Sequence, residues 1–173
     1  MENEIREIFE RITEHHSVPL RIGSRCEAHT YYRIEDLNSS NVQLCADYVA
    51  ERIDKVCSPA TPHLFINLPG SYTGLAEELA KSLTFSGQVI SVMQLEELHL
   101  SGKKGELKGK NVVLVNDVIT TARSCLEAHT KVTMLGASVL CWAALVDRTF
   151  GPGPVSVIAA FTGEPVILLE NLV

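Results

Sequence analysis

Apolar residues recur along this chain at two kinds of spacing, and the alternation between them lays out its elements. Ile5, Ile8, Phe9 and Ile12 fall at three- and four-residue steps, which predicts an amphipathic helix over residues 2–14. Val42, Cys45, Tyr48, Val49 and Ile53 repeat the pattern, so a second helix is expected from Asn38 to Cys57, capped by Asn38 or Ser39. Between them, residues 18–35 read as two short strands about a turn, with His15 and His16 at a helix end or in a loop. Short apolar runs follow at His63–Asn67, Gln88–Met93 and Val112–Val115, and a nearly continuous one at Ala137–Asp147. An unbroken apolar strand belongs in a sheet covered on both faces. Helical stretches at Gly74–Leu83 and Ser124–Thr133 separate these strands, residues 94–110 read as a solvated polar loop, and Pro154–Phe161 and Val166–Leu169 complete the strands, one at a sheet edge. The alternation from His63 to Asp147 predicts an α/β fold, a mainly parallel sheet flanked by helices. It is expected as one domain, with a small N-terminal hood over about 1–60 and a core over about 63–173.

Composition narrows the function classes. A chain of 173 residues, 46% hydrophobic and 21% charged, can bury a real core. Its net charge of −6 argues against a nucleic-acid or anionic-membrane partner, whose binding surfaces are usually basic. No apolar run approaches the roughly 18 residues of a membrane span, and the charged start M-E-N-E-I-R-E lacks the apolar core of a signal peptide. The five cysteines are scattered and without metal-ligand spacing, so they read as reduced thiols, and the expected location is the cytoplasm.

The chemistry concentrates at Asn111–Leu126, N-V-V-L-V-N-D-V-I-T-T-A-R-S-C-L. Strand, polar turn and helix in that order hold ligands at the carboxyl end of a parallel sheet. Thr120, Thr121 and Ser124 offer hydroxyls, and the N–H groups of Thr121 to Ser124 at a helix N-terminus suit a phosphate. Asp117, just before them, is placed to accept hydrogen bonds from sugar hydroxyls. An ordinary strand–loop–helix with a Ser or Thr cap is the plainer reading of the same residues.

Residues 112–124 resemble the 5-phosphoribosyl-1-pyrophosphate (PRPP) motif of the type I phosphoribosyltransferases: a hydrophobic strand, two acids, an apolar pair and a Thr- and Gly-rich loop. Asn116 replaces the first acid, and Ala122 and Arg123 replace the usual glycines. Residues 18–35 resemble the hood of orotate phosphoribosyltransferases, in a register one or two residues longer. That likeness puts Arg21 at a phosphate-contacting position and Tyr31 and Tyr32 at the base pocket. P-G-S-Y-T-G is similar to the family's pyrophosphate loop, with Ser71, Tyr72 and Thr73 as ligand contacts and Thr73 in place of a lysine. In M-Q-L-E-E-L-H only His99 keeps the place it has in the family's cationic loop. Met93, Gln94 and Glu97 stand where cations are usual, Glu96 and Glu97 oppose a leaving pyrophosphate, and Lys103, Lys104, Lys108 and Lys110 are candidate substitutes. Asp147-Arg148 at a strand end resembles the family's Asp-Arg, whose arginine meets the orotate carboxylate.

The resemblance implies transfer of ribose 5-phosphate from PRPP to a nucleobase, orotate favoured, with release of pyrophosphate. Asp117, Asn116 and His99 would be the catalytic residues, Thr120–Ser124 the 5′-phosphate site, and Arg148, Tyr31 and Tyr32 the base site. Mg²⁺ would bridge pyrophosphate and ribose oxygens with few protein ligands, and a homodimer is implied by analogy. Three other readings stay open: a catalytically weakened PRPP- or nucleotide-binding regulatory protein on the same fold, a phosphoribosyltransferase for another base, and an unrelated α/β binding module.

Overall fold

The computed structural model describes residues 1–22, 26–83, 88–100, 105, 107–149 and 153–168. The first helix, α1 (Glu2–Ile12), buries all four of its periodic apolar residues, Ile5, Ile8, Phe9 and Ile12. It ends at Thr13, which turns extended and opens β1 (Thr13–Arg21). β1 pairs antiparallel with β2 (Cys26–Tyr32), from Thr13 opposite Tyr32 to Arg21 opposite Glu27, with a register shift between His15 and Leu20. His15 and His16 therefore lie inside a strand and not at a helix end; pairing with residues 30–32 overrides the local preference. The expected turn, Gly23–Arg25, lies outside the described residues. A third strand, β8 (Ile167–Leu168), closes this small sheet by pairing Leu168 with Cys26. The hood thus takes a strand from the far end of the chain.

The core sheet has five strands: β3 (Leu64–Asn67), β4 (Gln88–Ser91), β5 (Asn111–Ile119), β6 (Ser138–Asp147) and β7 (Val157–Thr162). Their order is β4-β3-β5-β6-β7 and every pair is parallel. Successive side chains of a strand face opposite sides, and here each side has its own core. Phe65, Val113, Val115 and Cys141 pack with α1, with α2 (Ser39–Cys57) and with α3 (Leu75–Ser82). Leu64, Ile66, Val112, Leu114 and Trp142 pack on the other side with Cys125, Ala128 and Val132 of α5 (Arg123–Met134). Truncating a side chain such as Phe65, fully buried, would cost about 3–5 kcal/mol.

Two boundaries differ from expectation. β5 does not end at Val115 but continues through Asn116 and Asp117 to Ile119, because Asn116, Val118 and Ile119 keep partners in β6 at Ala144, Val146 and Asp147. Residues 92–100 are not a polar loop, nor are Val92 and Met93 strand: they form α4 (Val92–Leu100). Ser91 and Gln94 start it reciprocally. The Gln94 N–H donates to Ser91 Oγ at 3.3 Å, and the Ser91 N–H donates to Gln94 Oε1 at 2.8 Å. Leu95 then anchors the helix in the second core. At α2 the expected cap is present, with Asn38 Oδ1 accepting from the Asn41 N–H at 2.9 Å.

Candidate functional site at the carboxyl ends of the strands

Loops after β3 and β5, the end of β6 and the hood enclose one cavity of about 660 Å³, within the usual range for a small-molecule site. Asn116, Asp117 and the 120–124 turn contribute polar wall, and Ile22, Ile34, Leu37 and Val42 with Tyr31 and Tyr32 contribute apolar wall.

Asp117 sits at the junction of the two loops and is only 4% exposed. Its Oδ2 accepts the N–H groups of Tyr72 at 2.7 Å and Thr73 at 3.2 Å, and its Oδ1 accepts the hydroxyls of Thr73 at 2.7 Å and Ser71 at 3.3 Å. The expected pyrophosphate contacts thus converge on a carboxylate of the protein itself. Gly70 (φ 89°) and Gly74 (φ 78°) lie in the left-handed region on either side, giving the loop the tight path that aims its amides inward. Asn116 Oδ1 accepts the Asp117 N–H at 2.9 Å and the Ser71 hydroxyl at 3.4 Å. Tyr72, 90% exposed, stands over the cavity mouth.

Past β5, Thr120 and Thr121 lead to Ala122, which holds a left-handed conformation (φ 57°, ψ 5°) as the residue before α5. The turn keeps a glycine-like backbone although glycine is absent, a conformation unfavourable for alanine. The first N–H groups of α5 have no acceptor within the helix and face the cavity side with the Thr121 and Ser124 residues. Arg123 lines the same wall while its Nε bonds Glu127 Oε1 at 2.9 Å.

Arg148 follows β6 and is 3% exposed. Its Nε donates to the Glu164 carbonyl at 2.7 Å, Nη1 to the Thr30 carbonyl at 3.2 Å and Nη2 to the Thr30 hydroxyl at 3.0 Å. The guanidinium lies 5.2 Å from the centre of the Tyr32 ring. All three hydrogen bonds end on uncharged oxygens, and among the described residues no ion pair balances this buried charge. Burial accordingly pushes its pKa down, partly offset by Tyr32, Glu164 and Cys26. Tyr32 is buried and its hydroxyl accepts the Glu164 N–H at 3.1 Å, whereas Tyr31, on the opposite face of β2, is 38% exposed. Gly163 makes room for Tyr32: a Cβ there would stand 2.6 Å from the phenol oxygen.

Among the described residues, Arg21, Glu96, Glu97, Lys108 and Lys110 are not on the cavity wall. Arg21 ends β1 opposite Glu27, and its neighbour Ile22 supplies the lining. Backbone residue His99 is in α4, but its side chain lies outside the described residues, as do Lys103 and Lys104 entirely. Glu96 pairs with Lys131 of α5 at 2.6 Å, and neither Glu96 nor Glu97 lines the cavity. Lys108 and Lys110 precede β5, so six residue steps along the strand, roughly 20 Å, lie between Asn111 and Asp117. They are at the wrong end of the sheet to replace the missing cations. Thr30, Gly163 and Glu164 escaped the sequence reading; only the alternation of C-E-A-H-T-Y-Y, which buries Thr30 and Tyr32 on one face, hinted at the first.

Several known proteins are similar to this chain. No family model matches it. The orotate phosphoribosyltransferase of Campylobacter concisus is 37% identical over 101 residues, which is 57% of this chain and 44% of that protein. The chain thus spans under half the length of the curated relatives it matches. Among solved structures, orotate phosphoribosyltransferase of Mycobacterium tuberculosis H37Rv, in complex with Fe(III) dicitrate, superposes with a TM-score of 0.64 at 18% identity, covering 93% of this chain and 95% of that one. The HGPRT-ase of Leishmania tarentolae in complex with GMP gives 0.56 at 14% identity, covering 74% and 80%. The five-stranded parallel sheet flanked by helices, with a small antiparallel sheet beside it, is the type I phosphoribosyltransferase fold.

Proposed function

We propose that this chain transfers ribose 5-phosphate from PRPP to a ring nitrogen of a carboxylated pyrimidine, orotate, with release of pyrophosphate. The observation that carries the reading is Arg148, a buried guanidinium with no anionic partner among the described residues, in the wall of a cavity that the Thr120–Ser124 turn also lines. A base carboxylate complements that charge, and Tyr31 and Tyr32 both line the cavity that would take a planar ring. The similarity to orotate phosphoribosyltransferases points the same way.

In the reaction the bond from C1 of the ribose to the pyrophosphate oxygen breaks, a bond from C1 to the base nitrogen forms, and the base loses its ring proton. Positive charge develops on the ribose, and the Asp117 carboxylate is the nearby group that favours it. The 5′-phosphate takes the amides and hydroxyls of residues 120–124. Mg²⁺ keeps several waters and takes few protein ligands, so it would be held mainly by substrate oxygens. Bound there, Mg²⁺ would neutralise pyrophosphate charge. A homodimer and a cytoplasmic location belong to the same proposal.

One observation favours a second reading, a PRPP- or nucleotide-binding regulatory protein. The loop amides that would hold pyrophosphate are already taken by Asp117, and among the described residues the loop carries no cation. Calorimetric titration with PRPP, with and without Mg²⁺ and with ribose 5-phosphate as control, separates the possibilities. Mg²⁺-dependent PRPP binding with turnover of orotate is expected. Binding without turnover of any base would favour the regulator, and no binding would overturn both.

A further inference from the structure

Cys26 sits in the hood, Cys125 on the α5 side of the core sheet, and Cys45, Cys57 and Cys141 on the α2 side. Cys45 and Cys57 share α2 but stand twelve residues apart, about 18 Å along the helix. Cys57 and Cys141 are brought together by the way α2 crosses the sheet. Ser39 and Val42, near its start, line the cavity at the carboxyl ends of the strands. Further along, Arg52 Nη1 donates to the Ala159 carbonyl of β7 at 3.3 Å, and Ala159 is level with Ala144 of β6. The helix therefore runs against the strand direction. From Arg52 to Cys57 it advances about 7.5 Å, and from Ala144 back to Cys141 is about 10 Å, so the last turn of α2 lies over Cys141. The Cys141 side chain faces that helix, since it belongs to the first core while its neighbour Trp142 belongs to the second.

The two thiols meet there, the Cys141 S–H donating to the Cys57 sulfur. That hydrogen bond holds the Cys57 thiol below its ordinary value, against burial and the Asp54 carboxylate, which raise it. Cys141, the donor, is pushed up by the same bond and by burial. Burial also pushes Cys45 and Cys125 up to about 12. Cys57 is thus a half-buried thiol with thiolate character beside a fully buried partner.

We infer that Cys57 and Cys141 are a redox pair that closes into a reversible disulfide when a peroxide reaches Cys57. The Cys57 thiolate attacks a peroxide oxygen; the O–O bond breaks, the sulfur is oxidised to a sulfenic acid and hydroxide leaves. The Cys141 sulfur then attacks the Cys57 sulfur, the S–O bond breaks, and the hydroxyl leaves with the Cys141 proton as water. A small dithiol reverses the step, oxidised to its own disulfide as both protein thiols return. The closed bond ties the end of α2 to β6.

The test needs no turnover, so its result is separate from that of the function proposed above. The full chain is treated with hydrogen peroxide, unfolded, alkylated at free thiols and mapped by mass spectrometry. Untreated protein should be alkylated at all five cysteines. Treated protein should be alkylated at Cys26, Cys45 and Cys125, with the peptides that carry Cys57 and Cys141 recovered as one crosslinked species. Dithiothreitol added before alkylation should restore all five. Cys141→Ala should leave a sulfenic acid at Cys57 that dimedone traps. Cys57→Ser, used in its place if the alanine variant does not fold, should keep Cys141 fully alkylated after the same treatment. Full alkylation of Cys57 after peroxide, oxidation of Cys57 without a crosslink, a crosslink to another cysteine or to a second chain, or a Cys57→Ser protein that still loses Cys141 would overturn the inference.

Discussion

Gly163→Ala is the most informative single change away from Asp117 and the 120–124 turn. The added Cβ would stand 2.6 Å from Tyr32 Oη, 2.9 Å from its Cζ and 2.9 Å from Val146 Cγ1. None of these neighbours has room to move: Tyr32 also packs edge-on against Phe161, and Val146 is buried in β6. Inserting a methyl group into such a site costs about 1–3 kcal/mol. Displacing Tyr32 also breaks its 3.1 Å hydrogen bond from the Glu164 N–H, for about 0.5–1.5 kcal/mol more. A total of roughly 2–4 kcal/mol should lower the melting temperature by roughly 5–15 °C in a chain of this size. The reasoning has a sharper test than the single variant. Tyr32→Phe removes the atom that meets the new methyl group first, so in a double-mutant cycle the pair should be less destabilised than the sum by about 1 kcal/mol. Urea denaturation of the four proteins measures this directly. Additive effects, or a Gly163→Ala protein as stable as its parent, would show that Tyr32 is not held where described.

Three further outcomes follow from the geometry. Asp117→Ala should abolish PRPP-dependent turnover and also speed amide exchange at Tyr72 and Thr73, since both lose their acceptor, the equivalent of about 1–3 kcal/mol of local protection; unchanged exchange at both amides would contradict the anchoring role. Ser91→Ala should cost about 0.5–2 kcal/mol by removing the hydroxyl acceptor at the start of α4, and a denaturation midpoint equal to the parent's would mean that this cap contributes nothing. His129, whose pKa burial pushes below the ordinary histidine value, disfavours its charged form when folded. The unfolded chain then binds the proton first, so stability is full above about pH 6.5 and falls as pH drops through that value towards the lower folded one; a His129→Gln variant should lose less between pH 7.5 and 5.5, and identical losses would refute the assignment.

Much of the core was legible because one rule governs each piece. Ile5, Ile8, Phe9 and Ile12 could only form one face of a helix, and the apolar run at 138–147 could only be a strand covered on both sides. The 120–124 turn was legible because strand, Thr-rich turn and helix are adjacent in the chain. What escaped depends on partners that local pattern does not reveal. Residues 94–100 look polar enough for a loop, but the Ser91–Gln94 pair starts a helix there and Leu95 is buried in the second core. His15 and His16 carry no strand signal and are strand because β2 lies beside them. Asp117 is a ligand residue in motif terms, yet its present partners come from residues 71–73, more than forty positions earlier. Thr30 and Gly163 are small residues whose importance exists only after distant segments have met.

The pairing of Cys26 with Leu168 bears on the order in which the molecule assembles. β1 and β2 are neighbours in sequence and can form early, and the core strands join through short crossovers. The third hood strand must instead close a loop of about 140 residues, and among the described residues its ladder is two residues long. Long-range closure is slow and such a short ladder rewards it weakly. The junction where Thr30, Tyr32, Arg148 and Glu164 meet should therefore be the last part to mature during refolding and the first to open in native-state fluctuations, while the 120–124 turn is already in place.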